Sequence, residues 1–413
     1  MRNLLDRVIL ALLLPINFSY GQTEWPQFRG STGQGIAGKA PQSWGMDQGV
    51  AWKMPLEAHG WSSPVISEDR IVMTGSTGDG KETRLHVFAL DVETGKTIWS
   101  EKLFTPTDQE RRAKHAKNTF ASSTPLIHEG IVYAHFGHMG TAAMKLDTGK
   151  LLWKTKFEYE PKHGGASSLL MAEGKLIFSA DGETMPMLVA LHPESGKVAW
   201  KTPRTEEARQ KFSFSTPLLV ENKGRKEIIS PASGMVGAYD PTDGRQLWKM
   251  SYDVGFSVVP RPVEMNGMIF ISTGFMKPQL LAIKLENAEG DVTESHLEWS
   301  VKRFIPKTPS FVATDGVLYV LDDTGSVSCI DAGDGSTKWK EKLIGNFSAS
   351  PVLADDALYC MTEDGVCYVM KVSPERGEVV MELDIEQRIL ASPAVVDGGL
   401  FIRTETHLWK ITG

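Results

Sequence analysis

Three residue types recur along this chain at one fixed spacing. An alanine is followed six residues later by a glycine and ten residues later by a tryptophan, as in Ala89, Gly95 and Trp99. A fifth copy lengthens the turn, a sixth replaces the alanine by cysteine, and a seventh is degenerate. The copies begin at Ala89, Ala143, Ala190, Ala238, Ala282, Cys329 and Val369. Self-similarity with a period of about 40–50 residues indicates a repeat architecture and decides the fold class first.

A second landmark marks the start of each repeat. Ser-Pro, Thr-Pro or a close relative precedes an apolar run, a turn and a second β-rich run. The proline position is filled by Pro64, Pro125, Leu169, Pro217, Pro262, Pro309, Pro351 and Pro393. Neighbouring starts are 42 to 48 residues apart, except for the first gap, which holds a charged insertion over Thr105 to Thr119. Proline is tolerated here because it can stand at the start of a strand or on an edge.

Each repeat is predicted to form four short strands. In the sixth repeat these are Ser310–Thr314, Gly316–Leu321, Val327–Asp331 and Thr337–Leu343. The turns between them are rich in Gly and Asp, which tolerate the left-handed backbone of tight hairpins. Four strands in about 40–50 residues, repeated around a ring, are the signature of a β-propeller blade.

The fourth strands give an independent count of the blades. Seven of them follow the starts, and the last repeat reaches Trp409 and ends without one. The missing strand lies before the first start, over Val50 to Leu56. We therefore predict an all-β, eight-bladed propeller of four-stranded antiparallel blades, in which the N-terminal strand completes the C-terminal blade. Such closure removes the two sheet edges that an open ring would expose.

The repeated tryptophans are predicted to be architectural. Seven of the eleven tryptophans occupy this one position, namely Trp52, Trp99, Trp153, Trp200, Trp248, Trp299 and Trp339. We expect each indole to lie against the neighbouring blade, with the glycine allowing close approach and the alanine staying small beneath the ring. Cys329 fits the alanine position as a small apolar residue and is predicted to be structural.

This Ala–Gly–Trp pattern resembles the tryptophan-docking motif of the quinoprotein alcohol dehydrogenases and of the outer-membrane assembly factor BamB. The resemblance covers nearly the whole chain after residue 21. It implies an eight-bladed ring, and in the enzymes it implies pyrroloquinoline quinone bound with Ca²⁺ at one end of the ring axis. This chain has no adjacent cysteine pair and lacks the long insertions of the enzymes. No catalytic residue is assigned, no cofactor is certain, and the quinone with Ca²⁺ stays open as an alternative.

The N-terminus has the pattern of an export signal. Arg2 and Arg7 precede an apolar run from Val8 to Leu14, and small residues follow. We predict cleavage near Gly21–Gln22, with no lipoprotein cysteine and a periplasmic or secreted location. Three regions follow, a signal peptide over 1–21, an extension and linker over 22–49 that opens with Trp25-Pro-Gln-Phe-Arg-Gly30, and the propeller over 50–413. No later segment is long and apolar enough to cross a membrane.

The net charge bears on the class of partner, and the cysteines bear on whether the chain has a disulfide. The formal net charge is −7 and no Lys/Arg run stands out, so nucleic acid is not expected. Cys360 and Cys367 flank a turn and could pair across a hairpin, but a slip of one residue would put them on opposite faces. The sequence leaves that choice open.

A set of aromatic, basic and histidine residues is predicted to share one rim of the ring. They fall in the loops that lead into the first strands and in the turns between second and third strands, where binding residues concentrate. The candidates are Trp61, Arg111, Arg112, His115, His135, His138, His163, Phe214, Arg261, Lys307, Phe347 and Arg388. The spacing of His135 and His138 fits no standard zinc pattern, so no metal site is predicted.

Three functions remain for a chain of this kind. The favoured one is a monomeric, non-catalytic scaffold that holds a protein or another extracytoplasmic ligand on one face. The second is a minimal quinone-dependent oxidoreductase, in which Trp61 stacks on the quinone and Arg261 or Lys307 pairs with its carboxylates. The third is a carbohydrate-active enzyme, for which the repeats show no suitable pair of carboxylates.

Overall fold

A computed structural model describes residues 23–112 and 114–413 of the chain. The predicted signal peptide over 1–21 lies outside these residues. The described chain forms eight sheets, each built around four antiparallel strands, and this confirms the predicted eight-bladed propeller. Helix is confined, within the same residues, to one short α-helix at Asp108–Arg112 and two 3-10 turns at Gly80–Glu82 and Gly137–Met139.

The blades follow one another in chain order, with the first strand innermost. Blade 1 consists of Val65–Ser67, Arg70–Thr77, Arg84–Asp91 and Thr97–Phe104, and blade 2 of Leu126–His128, Ile131–His135, Thr141–Lys145 and Leu151–Thr155. Blade 3 consists of Leu170–Ala172, Lys175–Ala180, Met187–Leu191 and Val198–Pro203, and blade 4 of Leu218–Asn222, Arg225–Ala232, Met235–Tyr239 and Gln246–Ser251. Blade 5 consists of Val263–Met265, Met268–Ser272, Leu280–Lys284 and Leu297–Val301, and blade 6 of Val312–Thr314, Val317–Leu321, Ser326–Asp331 and Thr337–Lys342. Blade 7 consists of Val352–Ala354, Ala357–Met361, Val366–Val372 and Gly377–Asp384, and blade 8 of Ala394–Val396, Gly399–Arg403, His407–Ile411 and Val50–Pro55. The predicted strands of blade 6 therefore differ from the observed ones by two residues or fewer.

Blade 8 is completed from the other end of the chain, as the count of fourth strands predicts. Val50–Pro55 pairs antiparallel with His407–Ile411, with Val50 opposite Ile411 and Pro55 opposite His407. The last strand of the chain thereby gains a partner on its outer side. This pairing closes the ring.

The repeated tryptophans join neighbouring blades. The indole N–H of Trp99 donates to the carbonyl of Leu146 in blade 2 at 2.8 Å. A Cβ on Gly149 would stand 2.7 Å from the same indole, so only glycine allows this approach. Equivalent bonds run from Trp52, Trp153, Trp200, Trp299 and Trp339 to Val92, Pro193, Pro241, Ala332 and Ser373.

Trp248 departs from this pattern. Its indole N–H donates to a carboxylate oxygen of Glu227 in its own blade at 2.8 Å. The stretched turn of the fifth repeat explains the change, because Gly290–Asp291 forms an extra parallel strand against the outer edge of blade 4. Trp248 and Glu227 are both fully buried beneath that strand.

The cysteines do not pair. Cys360 lies opposite Tyr368 and Met361 lies opposite Cys367, so the two side chains point to opposite faces of blade 7. All three cysteines are free and buried. Burial raises the pKa of the Cys329 thiol to about 11, as expected for a structural residue in the alanine position.

Candidate binding site: the axial cavity

One end of the ring axis opens into a cavity of about 580 Å³. Its wall comes from the loops that lead into the eight first strands, together with turns between the second and third strands of blades 5 and 6. Every blade therefore contributes to one enclosed space. We call this space the axial cavity and its open end the mouth.

Seven hydroxyl residues form a belt around the axial cavity. They are the Ser or Thr two residues before the first strand of every blade except blade 5, namely Ser63, Thr124, Ser168, Thr216, Ser310, Ser350 and Ser392. In blade 6 this position is Ser310, which follows the predicted landmark Pro309 instead of preceding it. Six backbone N–H groups bond to them in sequence around the ring, at 2.9–3.0 Å. All seven are at most 6% exposed. We call this set the hydroxyl belt. Six of its hydroxyls link one blade to the blade before it, which explains why a Ser or Thr recurs at this position.

An arc of rings that meet edge to face forms one wall of the cavity. The ring of His163 lies 5.1 Å from His115 and 5.2 Å from Phe212. Phe212 in turn lies 5.5 Å from Phe256, and Phe256 lies 5.6 Å from Phe275. Phe214 adds a ring beside Phe212, at 5.9 Å. This aromatic arc gives the cavity an apolar side built by blades 2 to 5.

Cations stand at the mouth on either side of this arc. The ammonium of Lys307 lies 5.7 Å from the Phe275 ring, and it has no carboxylate partner in the described chain. Lys117, from the insertion, reaches Glu363 of blade 7 at 2.7 Å. Burial disfavours the charged form of Glu363, but hydrogen bonds from Lys117 and Ser348 outweigh it and lower the pKa of that carboxyl. This ion pair ties the insertion to the far side of the mouth.

The N-terminal segment closes the bottom of the axial channel. Trp25 exchanges two backbone hydrogen bonds with Ile66 in blade 1, and the carbonyl of Pro26 accepts the N–H of Ile127 in blade 2. Farther along, the strand Ile36–Ala37 pairs in parallel with the first strand of blade 7. Phe28, between these contacts, lines the cavity floor. The ring is therefore a cup with one open end, and the residues assigned to the linker form part of its floor.

Two buried arginines anchor this floor. Arg29 donates to the carbonyls of Gln34 and Phe311, both at 2.7 Å. Arg261 donates to the carbonyls of Phe28 at 2.6 Å and Pro217 at 2.9 Å. Both side chains are 1% exposed. Since a guanidinium offers five donors in a fixed fork, it can satisfy several carbonyls that converge from different blades.

A third guanidinium is buried between blades 8 and 1. Arg403 donates to the carbonyls of Ser62 and Thr74, each at 2.9 Å. Burial lowers the pKa of Arg29, Arg261 and Arg403 to about 9, and Arg261 adds to the effect at Arg29. None of the three forms an ion pair with a carboxylate in the part of the chain that the structure describes. They remain cationic at neutral pH, and Arg29 and Arg261 give the cavity a positive potential from below.

The structure brings part of the predicted rim set together. Trp61, His115, His163, Phe214 and Lys307 line the cavity, and the Arg388 guanidinium lies 5.6 Å from the Trp61 ring. Six others do not line it, among them the fully buried His135 and the exposed Arg112. Arg261 lies beneath the floor, Phe347 is fully buried beside Tyr368, Arg111 bonds to Asp108 and Pro106 in the insertion, and His138 is buried near Tyr159.

The predicted histidines separate into two pairs. His115 and His163 meet at the cavity wall, and burial, with the nearby charges of His115 and Lys162, lowers the pKa of His163. His135 is fully buried, donates or accepts one bond with Thr141 at 2.8 Å, and has its pKa lowered to about 3 by burial and His138. Within the described residues no group of three or more His, Cys, Asp or Glu side chains is arranged to hold a metal ion.

Sequence reasoning missed several of the most central residues. Phe28 and Arg29 lie outside the repeats, so their path could not be read from a period. Phe212, Phe256 and Phe275 carried a usable signal, since they stand in the same loops and turns as the predicted rim set. Arg261 was predicted, but on the rim; its place beneath the floor was missed, although it stands where other repeats have a hydroxyl residue before the landmark proline.

The comparisons with known proteins agree with this architecture. The family model described as outer membrane protein assembly factor BamB matches residues 45–180 and 232–373. The chain belongs to the BamB family. BamB of Moranella endobia is 24% identical over 355 residues, covering 83% of this chain and 82% of the relative. BamB of Escherichia coli is 23% identical, covering 74% of this chain and 88% of the relative.

Similarity extends to the quinoprotein dehydrogenases. The quinoprotein alcohol dehydrogenase PedH of Pseudomonas putida is 26% identical over 198 residues, which cover 46% of this chain and 28% of the enzyme. Among solved structures, BamB from Moraxella catarrhalis matches with a TM-score of 0.63 at 12% identity, over 88% of this chain and 97% of that one. A europium-containing methanol dehydrogenase matches with a TM-score of 0.72 at 10% identity, over 92% and 89%. At these identities the structures support the shared fold alone.

The cavity does not suit a quinone held with Ca²⁺. Calcium takes six to eight oxygen ligands, usually including carboxylates. Asp323 is the only carboxylate that lines the cavity within the described residues, and its Oδ2 already accepts the backbone N–H of Lys307 at 2.6 Å. Arg261, which the second hypothesis placed on the quinone carboxylates, is held beneath the floor by Phe28 and Pro217. No reaction step through a quinone is derived from this site.

Among the described residues, no helix combines the length and apolar character needed to cross a bilayer.

Proposed function

We propose that this chain is an extracytoplasmic, non-catalytic scaffold that holds a segment of a partner protein in the mouth of its axial cavity. The proposal rests on the shape of the axial cavity, which is a cup whose floor is supplied by the chain's own N-terminal segment. A floor of this kind makes a site for holding a ligand, whereas an open channel would let one pass. Membership of the BamB family supports an assembly role, and the predicted signal over residues 1–21 supports export.

The surface around the mouth also favours a protein partner. Met185, Phe275, Met276 and Ile344 stand in mouth-side loops of blades 3, 5 and 6, with 58%, 46%, 57% and 80% of their surface exposed. Exposed apolar groups beside a concave site mark contact surfaces in soluble proteins. Phe275 lines the cavity, whereas Met185, Met276 and Ile344 lie outside it, so a polypeptide can contact the cavity and these outer groups at once.

Position-specific crosslinking in the native cell tests the proposal. A photo-crosslinking amino acid is placed at Met276, at the mouth, and in a matched variant at Lys197, in the turn between third and fourth strands at the other end of blade 3. We expect a defined protein adduct from Met276 and none from Lys197. Equal adducts from both positions, or none at the mouth, would contradict a partner-binding mouth.

A further inference from the structure

We infer that the segment held in the axial cavity is an acidic peptide that also carries aromatic side chains. This inference rests on the proposed function and adds the chemistry of the ligand. Three features of the cavity point to it independently: unused hydroxyl donors, buried and mouth-side cations, and the aromatic arc.

The hydroxyl belt presents donors that the protein does not use. Six of its seven oxygens accept a backbone N–H, as described above, and within the described chain none of the seven donates to an acceptor. Each hydroxyl carries one O–H that can rotate toward a ligand. A buried ring of such donors suits a ligand rich in acceptor oxygens, and a carboxylate is the strongest acceptor in a peptide.

The charges favour the same ligand. Arg29 and Arg261 lie buried beneath the floor, and Arg403 is buried between blades 8 and 1. Lys307 stands at the mouth without a carboxylate partner among the described residues. On the lining itself only Asp323 opposes them in that part of the chain. The formal charge of the whole chain is −7, so this positive site is local and opposite in sign to the molecule around it. A concave site with low-dielectric walls focuses such a potential on the ligand.

The aromatic arc favours a ligand that carries aromatic side chains. Phe212, Phe256 and Phe275 contact one another edge to face, with interplanar angles of 74° and 71°. Phe212 is buried, but the partly exposed Phe256 and the exposed Phe275 can take a further ring in the same geometry, as aromatic pairs prefer. The exposed Met276 and Ile344 then continue the apolar surface outward along a peptide. An extended segment with alternating acidic and aromatic side chains meets the donors and the arc together.

Calorimetric titration of the full protein with unlabelled peptides tests this inference. Dyes are avoided because most are themselves aromatic anions. Three peptides of equal length are compared: one alternates aspartate and phenylalanine, one has lysine for each aspartate, and one has serine for each phenylalanine. We expect the first to bind at least about tenfold more tightly than either of the others, and to weaken as salt is added.

Variants of the protein locate the binding. Phe256→Ala should weaken the acidic aromatic peptide about tenfold and Lys307→Gln about threefold. Lys197→Gln, at the other end of the ring, should leave its affinity unchanged. Equal binding of the lysine peptide, or wild-type affinity in both Phe256→Ala and Lys307→Gln, would overturn the inference. Crosslinks at Met276 without a preference for the acidic peptide would leave the scaffold function standing and refute only the ligand class, whereas absent crosslinks at the mouth would refute the function itself.

Discussion

At the scale of single residues, the repeated tryptophan binds different acceptors in different blades. Trp99 is 8% exposed and binds the next blade through Leu146, whereas Trp248 turns to Glu227 beneath an added strand. The indole N–H needs a partner when it is buried, so a change in the neighbouring turn forces a new acceptor. The repeated position is therefore a docking point whose partner depends on the local turn.

Truncation of one docking tryptophan should destabilise the whole ring. We predict that Trp99→Ala lowers the free energy of unfolding by about 3–5 kcal/mol, because it leaves a cavity and an unpaired Leu146 carbonyl between blades 1 and 2. Urea unfolding measures this loss. Ile98→Ala, whose side chain is 41% exposed, is the control and should change the stability by about 0.5 kcal/mol or less. Similar losses of unfolding free energy in both variants would show that tryptophan docking does not contribute to stability.

His135 should make stability depend on pH. Its folded pKa of about 3 lies below the ordinary 6.5, so the unfolded chain takes up a proton as the pH falls through that interval while the folded chain does not. Stability is then complete above about pH 6.5 and declines as the pH falls. His135→Gln should reduce the loss between about pH 7 and about pH 5 by about 2 kcal/mol, measured by urea unfolding. Parallel pH profiles for the two proteins would contradict this role.

At the scale of elements, the repeats were predictable and the N-terminal segment was not. Most blades carry an Ala–Gly–Trp spacing and a hydroxyl-proline landmark, and these depend on contacts that recur around the ring. Trp25 and Arg29 make contacts that occur once, with blades brought together only by ring closure. The aromatic arc lies between these cases, because its residues stand in predicted rim loops while their mutual contacts depend on the curvature of the ring.

The N-terminal segment should be held mainly by its buried arginine. We predict that Arg29→Ala lowers stability by about 3 kcal/mol, since the carbonyls of Gln34 and Phe311 lose their donor in a buried site. Amide exchange should quicken at Ile127 and Leu353, whose N–H groups bond to Pro26 and Gly35. Arg209→Ala, at an exposed position, is the matched control. Unchanged exchange at both amides would mean that the segment is fixed by other contacts.

At the scale of the whole molecule, ring closure gathers features that lie far apart in the sequence. Ser63 and Ser392 are 329 positions apart and share one belt, and Lys117 reaches Glu363 across the mouth. Under the proposed function, a cup with a positive interior inside a chain of net charge −7 would select ligands by their charge as well as their shape. Similarity to both BamB and the dehydrogenases reflects this shared ring, and the loops at its mouth decide what it holds.

Titration with pyrroloquinoline quinone, with and without Ca²⁺, tests the non-catalytic scaffold most directly, because a bound quinone would occupy the space assigned to a partner segment. Calorimetry on the purified protein and on Trp61→Ala would measure it. We predict no saturable heat from the quinone in either protein, whether or not Ca²⁺ is present. Binding at about micromolar concentration or tighter that weakened in Trp61→Ala would contradict the scaffold and point to an oxidoreductase.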